Sequence, residues 1–250
     1  MNSATHASDA PFSIDPVCGW SRYTKLRDHS SSPRRCGGRA HRAAADRPVL
    51  RSGPRGRAAR GGDDAAGPAI ASLPRAAESR DGYTRSSFKH WTDADRDGCN
   101  TRTEVLIAEA IEPPTIGARC ALSSGVWWSM YDEQQVTAAS ALDVDHMVPL
   151  AEAWDSGASG WTAARRQAYA NDLDAERSLI AVTAKTNRSK ADQDPAQWMP
   201  PAAAQHCAYL ADWTATKARW QLTVDDAERQ ALATAAAQCP GATVEYEPVP

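Results

Sequence analysis

A histidine lies beside a carboxylate at Asp145-His146, inside an apolar, β-prone stretch, residues 142–150 (LDVDHMVPL). A polar stretch follows later, at residues 186–192 (TNRSKAD). A neutral imidazole can take the proton of a water molecule, and carboxylate and amide oxygens are ligands for hard cations. Together these groups suit hydrolysis of a phosphodiester, which needs an activated water and charge neutralisation on the phosphate. The alternative is that Asp145-His146 is a hydrogen-bonded structural pair.

The polar residues of 186–192 also have structural interpretations. Asn187 is a candidate ligand for a cation, but it could instead cap the start of a helix. Arg188 and Lys190 are candidate phosphate contacts, but they could equally lie on a solvated helix face. These alternatives stay open at the level of the residues.

A second group of carboxylates lies in residues 93–104 (DADRDGCNTRTE), which match the calcium-loop pattern D-x-D-x-D-G-x5-E. Asp93, Asp95 and Asp97 could converge on one cation, and Glu104 could close its coordination sphere. Asn100 stands where an apolar residue usually pairs with a second loop of this kind, and no clear second loop exists. The alternative is an Asp-rich turn that leads into a helix.

The chain has six cysteines, none in a C-x-x-C pair, which argues against zinc-ribbon and thioredoxin sites. Cys99 with Cys120, and Cys207 with Cys239, would form two disulfides in an oxidising compartment. Four buried free thiols are the alternative. No signal peptide follows Met1, because no basic segment leads into an apolar one. This conflicts with the disulfides unless the real N-terminus is not represented.

The charge is unevenly distributed along the 250 residues. Residues 1–75 carry 13 Lys and Arg against 6 Asp and Glu, whereas residues 76–250 carry 15 against 25. The first part is rich in Arg, Gly, Pro and Ser without helical or strand periodicity, so we expect a disordered, basic, low-complexity segment. It could hold nucleic acid, serve as a linker, or not be native coding sequence; we favour the last two. No apolar run approaches the length of a membrane span.

Hydrophobic spacing predicts helices over 103–111, 163–173 and 225–238, and a helical segment that includes Tyr209 and Trp220. Strands are predicted over 125–132, 142–146 and 179–182, and residues 244–250 are predicted to be a tail. Alternation along 142–146 places Asp145 and His146 on opposite faces, unless Val148-Pro149 bends the strand. The tryptophans are interpreted as core residues rather than base-stacking platforms.

Residues 144–150 (VDHMVPL), followed by 186–192 (TNRSKAD), resemble the HNH endonuclease motif, which is similar to that of the HNH domain in RNA-guided CRISPR nucleases. The wider resemblance is to bacterial, mostly secreted HNH endonucleases typical of actinobacteria. It spans about residues 80–240 and includes Trp91 with the Asp-rich segment, and the letters TRTEVL, ANDL and DPAQW. The resemblance implies a ββα-metal fold and a metal-dependent endonuclease.

The resemblance also implies roles for individual residues. His146 matches the general base, Asp145 the first metal ligand, and Asn187 the ligand that many relatives supply with a histidine. Asn171 matches the middle asparagine, which ties a loop to the strand, and it is predicted to be catalytic together with His146. Arg188 and Lys190 match phosphate contacts.

These observations predict an α+β protein: a ββα-metal (HNH) core with additional helices, including a C-terminal helical hairpin, over residues 76–250. The expected function is hydrolysis of phosphodiesters in DNA, with RNA left open. The expected cofactor is a divalent cation, Mg²⁺ ahead of Mn²⁺ or Zn²⁺, with Ca²⁺ at the second site. The alternative is a secreted calcium-binding or surface-attachment module with an inactive HNH core. The cysteine pairs and the resemblance favour secretion, and no protein-partner motif is evident.

Overall fold

The computed structural model describes residues 62–250. Within this range the chain forms seven α-helices and eight strands. In chain order they are β1 (Gly62–Ala65), α1 (Ala66–Ser72), α2 (Thr101–Ala108), β2 (Thr115–Ile116), β3 (Leu122–Ser123), β4 (Trp127–Ser129), β5 (Gln134–Val136), β6 (Leu142–His146), α3 (Leu150–Asp155), α4 (Ala163–Ala170), β7 (Leu179–Thr183), α5 (Ala184–Lys190), α6 (His206–Trp220), α7 (Asp226–Ala236) and β8 (Thr243–Tyr246).

The strands form four antiparallel pairs: β1 with β8, β2 with β3, β4 with β5, and β6 with β7. In the β6–β7 pair, Asp145 lies opposite Ile180 and His146 lies opposite Leu179. Helix α5 follows β7 directly, so β6, β7 and α5 form a β-β-α unit. The predicted α+β class is confirmed.

Two groups of buried apolar residues stabilise these elements. The smaller one joins α2 to β4, β6 and β7 and includes Leu106, Trp127 and Val144. The larger one surrounds α6, where Tyr209 and Trp213 are fully buried. Burial of apolar surface is the dominant favourable contribution to folding, so the β-β-α unit is held from both sides.

A buried lysine joins the helices around α6. Lys217 Nζ donates to Glu152 Oε1 of α3 at 2.8 Å and to Glu228 Oε2 of α7 at 2.6 Å. Its side chain is 0% exposed, and buried charges are tolerated where they are paired and hydrogen-bonded. The disulfide between Cys207 and Cys239 joins the same hairpin, with Cα atoms 5.5 Å apart. The predicted C-terminal helical hairpin is therefore present.

Residues before 76, where the folded domain was predicted to start, already belong to the fold. Strand β1 pairs with β8, and Ile70 and Leu73 are buried in the larger core. Residues 244–250 are accordingly not simply a tail, because Val244 is fully buried within β8. The sequence hid this arrangement because the two strands lie at opposite ends of the described chain. The remainder of the predicted disordered segment, residues 1–61, lies outside the described residues.

Several element ends also differ from the predictions. Helix α4 ends at Ala170, three residues before the predicted end at Leu173, and Leu173 is 46% exposed. Strand β4 is limited to Trp127–Ser129 because the chain turns directly after it. Helix α7 covers Asp226–Ala236 and not 225–238, because Asp225 is its cap and accepts from the backbone N–H of Glu228.

Candidate nuclease site

The end of β6 brings Asp145 and His146 to one cleft. The strand ends at His146, and α3 begins at Leu150 after a short turn. Both side chains line the same cleft despite their alternation along the strand. The sequence placed these two side chains on opposite faces unless the strand bends after them. In the structure, the strand ends at His146, and this end takes the place of a bend.

His146 is buried, and its tautomer follows from its hydrogen bond. Its Nε2 lies 3.1 Å from the carbonyl oxygen of Ala170. Since a carbonyl oxygen only accepts, Nε2 carries the proton and Nδ1 is left as the basic nitrogen. Burial lowers the pKa of His146 from 6.5 to about 3, against the opposing effect of that hydrogen bond. The imidazole is therefore neutral at physiological pH and able to accept a proton.

Two aromatic rings stack on this imidazole. The centroid of Trp91 lies 5.3 Å away with an interplanar angle of 28°, and that of Tyr169 lies 6.3 Å away at 20°. Trp91 adopts a left-handed backbone with φ of +56°, which is unusual for a bulky residue. The sequence interpreted tryptophans as core, so the contact of Trp91 with the candidate base was missed.

Asp145 belongs to a buried polar group. Its Oδ2 accepts from Tyr131 Oη at 2.7 Å and from Lys190 Nζ at 2.5 Å. Burial raises the pKa of Asp145, while the charge and hydrogen bond of Lys190 act in the opposite direction. The carboxylate is thus fixed in position by two donors.

Lys190 is not placed to contact a substrate phosphate, contrary to the prediction. Its side chain is 0% exposed. Besides Asp145, its Nζ donates to the carbonyl oxygens of His146 at 2.9 Å and Met147 at 2.8 Å. All three ammonium protons are therefore used inside the protein. Lys190 positions the end of β6 and does not lie on a solvated helix face.

Asn187 faces the same cleft from α5. Thr183 caps this helix by accepting from Thr186 N–H, so Asn187 is not the cap. Asn187 Nδ2 donates to Asp143 Oδ2 at 3.2 Å. Arg188 Nε lies 3.9 Å from the same oxygen, and the Arg188 side chain is 78% exposed. Asp143 is a further residue that the sequence did not single out, although its i, i+2 spacing from Asp145 places both on one strand face.

The cleft has a volume of about 320 Å³. It is lined by a single arginine ahead of β6, by the end of β6, by the start of α3 and by the end of α5: Arg85, Val144, Asp145, His146, Pro149, Leu150, Asn187, Arg188, Ala191 and Asp192. The structure therefore assembles the predicted His146, Asp145, Asn187 and Arg188 around one space.

The similarity of this chain to a known protein family covers the β6–β7–α5 unit that lines part of the cleft. The family described as GmrSD restriction endonucleases, C-terminal domain, matches residues 113–235, which contain β6, β7 and α5. An "Uncharacterized secreted protein" of Arthroderma benhamiae (strain ATCC MYA-4681 / CBS 112371) is 43% identical over 160 residues, which cover 64% of this chain and 77% of that relative. This chain belongs to the GmrSD C-terminal domain family. No solved structure matches it.

Membership in the GmrSD C-terminal domain family confirms the resemblance to HNH-like nucleases. It indicates a nuclease-type function, with nucleic acid as the substrate class. Asp145, His146 and Asn187 lie inside the matched residues, whereas Arg85 and Trp91 precede them. Within residues 62–250, none of the helices has the length and apolar character needed to cross a bilayer.

Asn171, predicted among the catalytic residues, is not one of the residues that line the cleft of this GmrSD-family domain. Its Oδ1 accepts from Thr92 N at 2.9 Å and from Thr101 Oγ1 at 2.8 Å. Its Nδ2 donates to the carbonyl oxygens of Lys89 at 2.8 Å and Gln167 at 2.7 Å. Asn171 thus ties the loop that carries Trp91 to the end of α4, next to the Ala170 carbonyl that binds His146. It is a positioning residue.

The Asp-rich loop lies outside the cleft of the GmrSD-family domain. Carboxylate oxygens of Asp93, Asp95 and Asp97 lie within 4.8 Å of one another, and Glu104 is not part of that group. Asp93 and Asp97 also accept from backbone N–H groups of the loop itself. The second cation stays a prediction. The predicted disulfide between Cys99 and Cys120 is formed, with Cα atoms 5.1 Å apart, and attaches this loop to the segment before β3.

The residues of the cleft fit a divalent cation. Asp145 Oδ2 and Asn187 Nδ2 are engaged by neighbours, whereas Oδ1 of each side chain has no hydrogen bond with a residue of 62–250. One carboxylate and one amide oxygen, completed by water and phosphate oxygens, form a donor set that Mg²⁺ accepts. Asp145 and Asn187 could therefore hold such an ion.

Proposed function

We propose that this protein is a metal-dependent endonuclease of the HNH type that hydrolyses phosphodiesters in DNA. The observation that carries this proposal is the neutral, buried imidazole of His146. It lies beside two oxygen ligands in a cleft and is oriented by a backbone carbonyl. A histidine bound in this way has one nitrogen that can act only as a base.

In this proposal, Nδ1 of His146 takes a proton from water as the water oxygen bonds to phosphorus and the bond to the leaving oxygen breaks. The departing oxygen takes its proton from solvent. A divalent cation, when bound by Asp145 and Asn187, supplies charge neutralisation on the phosphate and the leaving oxygen. Arg188 is exposed beside Asn187 and adds a positive charge at the mouth of the cleft.

We further propose that the protein acts outside the cell. Two disulfides support this, since such bonds persist in oxidising compartments. The printed name of the 43% identical relative describes that relative as secreted. Both observations agree with the expectation from the cysteine pairs.

The proposal is tested by nicking of supercoiled plasmid DNA with Mg²⁺ or Mn²⁺, compared with EDTA. Loss of the base should lower the rate of the His146→Ala variant by about 10²- to 10⁴-fold. Asn187→Ala should require more Mg²⁺ for half-maximal activity. His206→Ala is the matched control, because His206 bonds to the Pro200 carbonyl and does not line the cleft. Equal cleavage by wild type and His146→Ala would reject the mechanism.

A further inference from the structure

The segment before the Asp-rich loop is held at both ends. Tyr83 packs edge-on against Trp154 with ring centroids 6.0 Å apart, and the buried Phe88 packs against Trp154 and Tyr169. A short 3₁₀ turn, Arg85–Ser87, lies between them. The carbonyl oxygen of Ser87 accepts from Arg166 Nε at 3.1 Å. The backbone that carries Arg85 is therefore fixed at the wall of the cleft.

Arg85 is an exposed cation whose side chain has no hydrogen-bond or ion-pair partner among residues 62–250. Its guanidinium makes no hydrogen bond or ion pair with another residue of the described range, although it lines the cleft with His146. The guanidinium therefore faces the same cleft as the candidate base.

The other cations near the cleft already have partners within the protein. Lys190 donates to Asp145 and to two backbone carbonyl oxygens. Arg80 bonds to Asp155 at 2.6 Å and pairs with Asp192 at 3.5 Å, which offsets the charge of Asp192. Arg85 and Arg188 are thus the two cations that line the cleft, on segments that are far apart in sequence.

We propose that Arg85 binds the scissile phosphate of the nucleic acid, in the role for which Lys190 is too deeply buried. This inference rests on the proposed nuclease function. A guanidinium presents a planar fork of N–H donors that matches two phosphate oxygens. Since Arg85 and His146 line the same cleft, this fork holds the phosphate near the base.

Binding is measured first, in the His146→Ala background, by fluorescence anisotropy of a fluorescein-labelled DNA duplex at several salt concentrations. Adding Arg85→Ala should weaken binding by roughly 10-fold, as loss of charge-assisted hydrogen bonds does. It should also reduce the slope of log affinity against log salt by about 0.9, the value for one phosphate contact. Arg85→Lys should keep the slope but bind with intermediate affinity, because it retains the charge without the fork.

Plasmid nicking by single variants of the wild-type protein supplies the second readout. Arg85→Ala should lower the rate by about 10- to 100-fold, with an unchanged melting temperature because its side chain has no partner among the described residues. Arg119→Ala is the matched control, since Arg119 is exposed and does not line the cleft.

The outcomes separate this inference from the proposed function. If His146→Ala abolishes nicking while Arg85→Ala matches Arg119→Ala in rate and salt slope, Arg85 has no phosphate role and the nuclease proposal stands. If His146→Ala nicks DNA at the wild-type rate, the nuclease mechanism itself fails. If none of the protein variants binds the labelled DNA duplex, both the Arg85 inference and the nuclease proposal are overturned.

Discussion

The burial of Lys190 changes what its charge can do. A lysine two residues from Arg188 on a polar helix is expected to be solvated, yet Lys190 reaches under the end of β6 and is fully buried. There it compensates Asp145 and binds two backbone carbonyls of the turn. The ammonium thus holds the candidate metal ligand and the base in register with each other.

The Lys190→Met substitution should therefore lower the free energy of unfolding substantially. Removing one partner of a buried ion pair leaves an uncompensated charge and typically costs about 3–5 kcal/mol. Urea denaturation measures the free energy of unfolding. Lys185→Met, the same change at an exposed position of α5, should stay within about 0.5 kcal/mol of wild type. A loss for Lys190→Met as small as that of the control would mean that Lys190 is solvated.

At the scale of the elements, the end of α4 orients the imidazole of His146, the candidate base. Ala170 closes the helix and binds His146, and the next residue, Asn171, ties the helix end to the loop of Trp91. The sequence suggested Asn171 as a residue that ties a loop. Which loop it ties was decided by the packing of α4 against the segment 89–101, which local spacing does not encode.

Asn171→Ala should lower both stability and turnover. Four hydrogen bonds are lost, at a cost of about 2–3 kcal/mol, and the turnover number should fall by about 10-fold as His146 loses its orientation. A loosened loop also admits water, which moves the pKa of His146 up from about 3 toward its ordinary value. A protonated imidazole cannot accept a proton, so activity should fall more steeply than in wild type as the pH drops from 8 to 5.

Thr162→Ala, at the other end of α4, is the control for this prediction. Thr162 caps the helix, so its loss should cost about 1 kcal/mol and leave the shape of the pH–rate profile unchanged. An Asn171→Ala variant with the wild-type pH profile would limit Asn171 to a stabilising role.

The molecule as a whole is closed by elements from both ends of the described chain. Strands β1 and β8 pair, and α1 packs its buried Ile70 into the core formed by α6 and α7. The domain therefore depends on residues that precede the boundary expected from composition.

Ile70→Ala should cost about 2–5 kcal/mol, because it removes a buried side chain from a packed core. Ile116→Ala is the matched control: Ile116 is 52% exposed, whereas Ile70 is 2% exposed. Its free energy of unfolding should change by no more than about 0.5 kcal/mol. Chemical denaturation of both variants checks the difference, and equal small losses would place α1 outside the cooperative domain.

The local pattern of the amino-acid sequence was sufficient for much of this protein. The alternation of Leu142, Val144 and His146 predicted β6, and hydrophobic spacing predicted α7. The candidate site residues His146, Asp145 and Asn187 were selected by type and order, and the structure brings them to one cleft. Both predicted cysteine pairs match the disulfides that form. These signals lie within one element or depend on residue type alone.

Tertiary packing decided the features on which the proposed chemistry depends. The Ala170 carbonyl selects the tautomer of His146, burial turns Lys190 from a candidate phosphate ligand into an internal counter-charge, and a distant turn brings Arg85 to the cleft. The pairing of β1 with β8 is also a feature that tertiary packing decided. Each joins residues far apart in the chain, and their burial and partners depend on how whole elements pack, so no periodicity within a segment records them.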